Sequence, residues 1–251
     1  MKYITIMIGL IGMLTTSFLS ATDTAVGPIQ GYHEELGLYI TEGRVDYKAW
    51  QDDRDGLNRF IASLEKADLG ALSGNEKKAL LINAYNACMI WMVLKHYPIE
   101  GVFDIKLKPF KHKVFNLGGE TISLDYIEHD VLRKMGDPRI HFAIVCASIG
   151  CPDLMPEAYQ ADRLDEQLDE AARRYFSQKK GLQVLSDPPR VKLSMLFDWF
   201  GGDFGRNKVE KLHFIAAYAP EKWQQLLTNK AKKMNIKYIE YDWALNDRQK
   251  K

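Results

Sequence analysis

Apolar and polar positions recur along most of this chain at helical rather than strand spacing. YHEELGLYITEG reads as a helix ending on Gly43, and WQDDRDGLNRFIASLEKADLG sets Leu57, Phe60, Ile61 and Leu64 on one helical face. Ser73-Gly-Asn-Glu76 is a capping-box pattern, and the helix it opens runs to about Tyr97, where Pro98 stops it. Its middle, LLINAYNACMIW at 80–91, is broken only by Asn83, Asn86 and the hydroxyl of Tyr85. A helix apolar on every face belongs in the centre of a core or in a membrane, and the capping box, the flanking lysines and the two amides place this one in a core. Asn83 and Asn86 share a face, and an unpaired buried amide costs roughly 1–3 kcal/mol. Either the backbone of a crossing segment or the polar groups of a cleft must satisfy them.

Strand patterns cluster in the middle and at the end. KVFNL and ETISL flank Gly118-Gly119, the signature of a tight hairpin. LDYIEHDVLRKMG is helical in pattern, with Leu124, Ile127 and Leu132 inward and Gly136 as its stop. RIHFAIV reads as a short strand that ends at Cys146, followed by the loop CASIGCPDLMP. LDEQLDEAARRYFSQK is strongly amphipathic, QVLSDPPRVKLS reads as strand, Pro turn and strand, and FIAAYAPEKWQQLLTNK precedes a terminal KYIEYDWALN of strand character. The sum is an α+β fold, an antiparallel or mixed sheet packed on the buried central helix.

The first residues, MKYITIMIGLIGMLTTSFLSA, have one charge, Lys2, then an apolar run and small residues at Ser20-Ala21. That layout predicts a secretory signal over 1–21, leaving 22–251 as one domain with a helical N-terminal portion and no integral membrane segment. The expected location is periplasmic or secreted. Thirty-four basic residues against 33 acidic ones leave a net charge of +1, and no basic run is interleaved with aromatics, so nothing points to nucleic acid.

Three cysteines in an exported chain leave at least one unpaired. Cys146 and Cys151 are close enough in sequence to bridge, while their spacing lacks the further ligands of a zinc site, and no metal or other cofactor is expected. A thiol becomes a nucleophile as the thiolate, which needs a His, a cation or a helix N-terminus beside it. His141 precedes Cys146 by five residues, a separation of about 16 Å on an extended strand, so it reaches the thiol only if the chain bends. His129 is the other candidate base, beside Glu128 and four residues after Asp125 on a helix. Cys88, on the all-apolar helix, reads as a small core hydrophobe.

KKALLINAYNACMIW, FNLGGETISLDYIEHDVLR, DPRIHFAIVCASIGCP, KLSMLFDWFGGDFG and YDWALN, in that order, resemble the successive motifs of the DUF547 family, a domain of unknown function in bacteria and plants. Its hallmarks map onto Asn83, Tyr85 and Asn86, onto Glu128 and His129, and onto His141, Phe142 and Cys146. The family is similar in turn to papain- and transglutaminase-like cysteine enzymes, with a permuted element order left open. The resemblance implies a cysteine-dependent hydrolase or transferase acting on an amide, a peptide or a glutathione-like thiol compound. Cys146 would be its nucleophile, His129 or His141 its base, Glu128 or an Asn its orienting group, and Asn83, Tyr85 and Asn86 its substrate contacts. A non-catalytic peptide- or ligand-binding module with a structural Cys146–Cys151 disulfide is the alternative. Ala147 stands where the family more usually has Gly.

Overall fold

A computed structural model of the protein describes residues 23–106 and 108–249; the expected signal over 1–21 lies outside them. Three helices, α1 (Asp23–Tyr39), α2 (Tyr47–Asp52) and α3 (Asp55–Leu64), precede α4 (Gly74–His96). Glu35 of α1 lies buried and accepts hydrogen bonds from Trp50 Nε1 and from the Gly56 and Leu57 amides, so one carboxylate ties three helices and satisfies two orphan donors of α3. Gly31 and Gly56 let α1 and α3 touch through backbone, since a Cβ at 56 would lie 2.4 Å from the Gly31 carbonyl oxygen. Two expected boundaries shift. The first helix stops at Tyr39, because Glu42 and Gly43 adopt positive φ (52° and 77°) and fold β1 (Ile40–Thr41) onto β2 (Arg44–Val45). The second helical stretch is broken at Asp53, whose extended backbone separates α2 from α3.

α4 is the predicted central helix. Ser73 and Glu76 complete the capping box, and every residue from Leu81 to Ile90 is buried. α2 and α3 pack around it, and so does a helix at Tyr126–Leu132 wound with π-type bonds, one of them from the Arg133 amide to the Glu128 carbonyl. That helix ends at a 3₁₀ turn and at left-handed Gly136 (φ 74°), the predicted stop. Before it, β3 (Phe115–Leu117) pairs with β4 (Glu120–Ile122) across Gly118 and Gly119, both at positive φ, as a tight hairpin demands.

The expected strand over RIHFAIV is not formed. Pro138 at the first helical position and the Asp137 side chain, accepting from the Arg139 amide, start a 3₁₀ helix over Pro138–Phe142. Asn86 then occupies the Ala143 carbonyl and the Val145 amide, groups that a strand ladder would need.

A second core gathers beyond this point. It is built from α5 (Leu164–Ser177), β5 (Leu182–Leu185), β6 (Arg190–Ser194), α6 (Leu196–Trp199), α7 (Lys208–Tyr218), α8 (Glu221–Asn229) and β7 (Asn235–Ile239). Phe142 is its hub, in ring contact with Tyr175, Phe176, Phe197 and Phe204. β5 and β6 are antiparallel, β6 and β7 parallel, so the sheet is mixed. The expectation that it packs on the central helix is corrected: α4 lies in the first core and the sheet in the second. The α+β class stands. Of the terminal stretch only the part up to Ile239 is strand; the residues beyond it cross back over the first core through bridges of Ala244 to Gly101, Leu245 to Ser148 and Asp247 to Val45. Among the described residues no helix is long and apolar enough to cross a membrane.

Candidate active site

Between the two cores lies a cleft of about 520 Å³, lined by Tyr85, Glu128 and His129 from the first core side and by His141, Leu196 and Phe200 from the second, with Cys146 and Cys151 opening into it. The placement follows from the chain. Phe142 is anchored in the second core and Ala143, Ile144 and Val145 in the first, so the segment that ends at Cys146 crosses the seam.

Cys146 is half-buried, and its Sγ lies 2.9 Å from Cys151 Sγ, 3.2 Å from the Tyr241 hydroxyl and 3.4 Å from Ser148 Oγ. Both thiols are free; the separation is well above the ~2.05 Å of a disulfide bond. Burial pushes the Cys146 thiol up, but the Cys151, Ser148 and Tyr241 donors around the sulfur outweigh it and hold Cys146 below the ordinary thiol range. Cys151 moves the other way, raised by burial and by the charge on Cys146, so the pair shares one proton that stays on Cys151. Tyr241, raised by burial and then by the same charge, keeps its proton and donates. The loop needs a left-handed residue to bring Ser148 back to the sulfur, and Ala147 takes that role at φ 62°. A side chain there costs about 1–2 kcal/mol, which a glycine would avoid.

Of the backbone amides after Cys146, those of Ile149, Gly150 and Cys151 are consumed by Ala244, Asp242 and Ser148 carbonyls. The Ser148 amide also lowers the Cys146 thiol. With the Tyr241 hydroxyl it forms a two-donor pocket beside the thiol.

Neither histidine bonds the sulfur. His129 presents Nε2 to Asp125 at 3.5 Å and has Nδ1 occupied by Arg133 at 3.0 Å, which leaves no lone pair for a thiol proton. His141 is buried, stacked on Phe200 at 4.3 Å, with Nε2 on Asp203 at 2.8 Å. Arg133 grips that carboxylate with two bonds of 2.7 and 2.9 Å and holds Asp203 down to about 2. The ring of His141 also lines the cleft, although its side chain is only 1% exposed. Burial lowers His141 to about 4, so the ring is neutral at neutral pH. Because the 138–142 segment is coiled, the extended-chain separation of His141 from Cys146 does not apply.

Glu128 behaves differently. Burial first, and then the charge on Cys146, push its carboxyl up to about 7 against the Tyr85 hydroxyl, which donates to it at 3.3 Å. Its proton is therefore labile near neutral pH.

Asn83 and Asn86 do not line the cleft. Each amide is spent on backbone: Asn83 on the Tyr159 carbonyl and amide, Asn86 on the Ala143 carbonyl and Val145 amide. Of the residues expected to contact substrate only Tyr85 lines the cleft, and the two Asn fasten loops, Asn86 the one that carries Cys146. Cys88 is fully buried in the first core, and burial raises its thiol far beyond any reactive range. Asp203, Arg133, Ser148 and Tyr241 were given no role from the sequence, although Asp203 and Tyr241 sit inside GGDFG and YDWALN, two of the stretches that carry the resemblance. No group of three or more His, Cys, Asp or Glu side chains is placed to hold a metal ion among the described residues.

Residues 69–176 match the family DUF547, described as a protein of unknown function. The matched segment contains Tyr85, Glu128, His129, His141, Cys146 and Cys151, whereas Trp199, Asp203, Tyr241 and Trp243 lie beyond it. No curated protein and no solved structure matches the chain.

Proposed function

Taking the chain as a member of DUF547, we propose that it is an exported cysteine-dependent acyl-transfer enzyme, a hydrolase or transferase acting on an amide, a peptide or a glutathione-like thiol compound. One observation carries the reading: a thiol lowered by three converging donors opens into a cleft that also holds a carboxyl whose proton is labile at pH 7. Cys146 attacks as the thiolate. Its sulfur bonds to the acyl carbon, and the resulting oxyanion is met by the Tyr241 hydroxyl and the Ser148 amide. Glu128 gives its proton to the leaving amine as the C–N bond breaks, a role that neutral His141 cannot fill because it holds no spare proton. Water, or an acceptor thiol or amine, then gives a proton back to Glu128 and displaces Cys146 from the thioester. Asp203 fixes the ring of His141 in the wall of the cleft, where it accepts a hydrogen bond from substrate or nucleophile. The papain- and transglutaminase-like character that the resemblance implies adds no residue to this assignment, which rests on the site.

The 2.9 Å sulfur separation favours a second reading, a binding module whose Cys146 is silenced by oxidation to a disulfide with Cys151. One experiment separates the two. Protein exported to the periplasm and purified without reductant is treated with iodoacetamide at neutral pH and, separately, with an activated thioester, and each thiol is followed by peptide mass spectrometry. The enzyme reading expects Cys146 to alkylate before Cys88 and Cys151 and to carry the acyl group. A disulfide between 146 and 151, or labelling confined to the other two thiols, sinks it.

A further inference from the structure

The walls of the cleft are ordered from the thiol outward. The Tyr241 hydroxyl touches the Cys146 sulfur, and the Tyr241 ring packs 4.5 Å from Trp243 and 5.0 Å from Trp199. Trp243 lies 4.7 Å from Phe103, and Phe103 lies 6.4 Å from Phe110. Phe110 sits in a turn closed by bonds from the Lys111 and His112 amides to the Lys108 carbonyl, and Lys108 and Lys111 both face the cleft. Large rings this exposed, Phe103 at 59% and Trp199 at 42%, leave apolar surface in water that a bound apolar group would remove. At the outer end the two ammonium groups have no ion-pair or hydrogen-bond partner among the described side chains. The carboxylates that share the cleft are engaged elsewhere, Asp125 with His129 and Glu128 with Tyr85. Two ammonium groups against the single carboxylate of Asp125, whose amide bonds the Phe110 carbonyl, leave positive charge in excess at the far end of an apolar wall whose near end is the nucleophile.

Building on the reading of Cys146 as an acyl-accepting thiol, we propose that its substrates are elongated acyl donors with a flat, apolar body that lies along Tyr241, Trp243, Trp199 and Phe103, and with an anionic group that reaches Lys108 and Lys111. Acylation forms the Cys146–carbonyl bond at one end and leaves the anion untouched at the other. Short acyl groups bind at the thiol without filling the wall.

Thiophenyl esters of acetic acid, 4-phenylbutyric acid and 4-(4-carboxyphenyl)butyric acid test this by release of thiophenol. The phenylbutyryl ester is expected to exceed the acetyl ester by about tenfold or more in kcat/KM, with the margin shrinking in Trp199→Leu, which keeps an apolar side chain but no stacking plane. The terminal carboxylate is expected to lower KM several-fold further, and that gap closes in Lys108→Ala/Lys111→Ala. Equal turnover of the acetyl ester, or a carboxylate advantage that is absent or survives removal of both lysines, overturns the proposal. Failure of every ester to acylate Cys146 defeats the enzymatic reading instead. The subsite is then judged by calorimetry of free 4-(4-carboxyphenyl)butyrate on Cys146→Ser: binding that weakens several-fold without the two lysines upholds it, and no binding overturns it.

Discussion

At the scale of single residues, the site turns on which groups hold protons. The Cys146 sulfur is charged because Cys151, Ser148 and Tyr241 surround it with donors, and Glu128 is protonated into the neutral range because burial and that same charge disfavour its carboxylate. The two shifts run in opposite directions from their usual values, so kcat/KM is expected to rise with pH as the thiolate forms and to fall through about pH 7 as Glu128 loses its proton. In Glu128→Gln the descending limb should vanish and the plateau drop by about 10²–10⁴-fold, the range for loss of a positioned acid. A pH–rate series on both proteins checks it, and an unchanged descending limb assigns the proton elsewhere. Residue types announced part of this: a Cys ending an apolar run and a His-Glu pair were readable. Their partners were not. His129 and Arg133 are four residues apart on one helix, a visible spacing, yet only the structure shows that Arg133 occupies the ring nitrogen a base would need. Asp203 lies 62 positions from His141, and although it sits in the GGDFG stretch, nothing local pairs it with that ring.

Elements position those residues, and α4 does so through its two amides. Asn83 and Asn86 solve the same physical problem, a polar group in an apolar helix, but fasten different segments. Asn83 holds the chain at Tyr159, and Asn86 holds 143–145, the approach to Cys146. Truncating either to Ala removes two bonds to backbone groups that then stay buried, a loss of about 2–6 kcal/mol at roughly 1–3 kcal/mol for each orphaned group. Thermal unfolding should register both. Reactivity should not: the alkylation rate of Cys146 in the folded fraction is expected to fall in Asn86→Ala and to hold in Asn83→Ala. Equal loss in both would mean that the helix acts on the site only through global stability. Period and capping made α4, the 118–119 hairpin and α5 legible, because each is dictated by near neighbours in sequence. The strand expected over RIHFAIV failed for the opposite reason: Asn86, more than fifty residues earlier, takes the backbone groups that β-rich residues would otherwise pair in a ladder.

The whole molecule is two cores with a cleft at their seam, joined by chain that crosses it in both directions. The last described stretch is the more telling crossing. After β7 leaves the second core, the chain returns to the first, and its bridges at Gly101, Ser148 and Val45 hold it beside the Cys146 loop. Tyr47 adds a side-chain bond of 2.8 Å to Asn246, and Tyr97 another of 2.8 Å to Asp247. This segment brings Tyr241 and Trp243 into the cleft, so one element serves both as a clasp and as part of the site. The two roles separate experimentally. Tyr241→Phe keeps the ring and the clasp but removes one donor from the sulfur, and the pH at which Cys146 reacts with iodoacetamide should move upward toward the ordinary thiol range while thermal stability falls by no more than about 1.5–3 kcal/mol, the scale of one hydrogen bond to a charged group. Truncation after Glu240 removes the clasp as well, and should expose Val45 and the Ala147 loop and lower the unfolding temperature sharply. If Tyr241→Phe leaves the thiol titration in place, the lowered Cys146 owes nothing to the second crossing and its donors reduce to Cys151 and Ser148, both from its own loop.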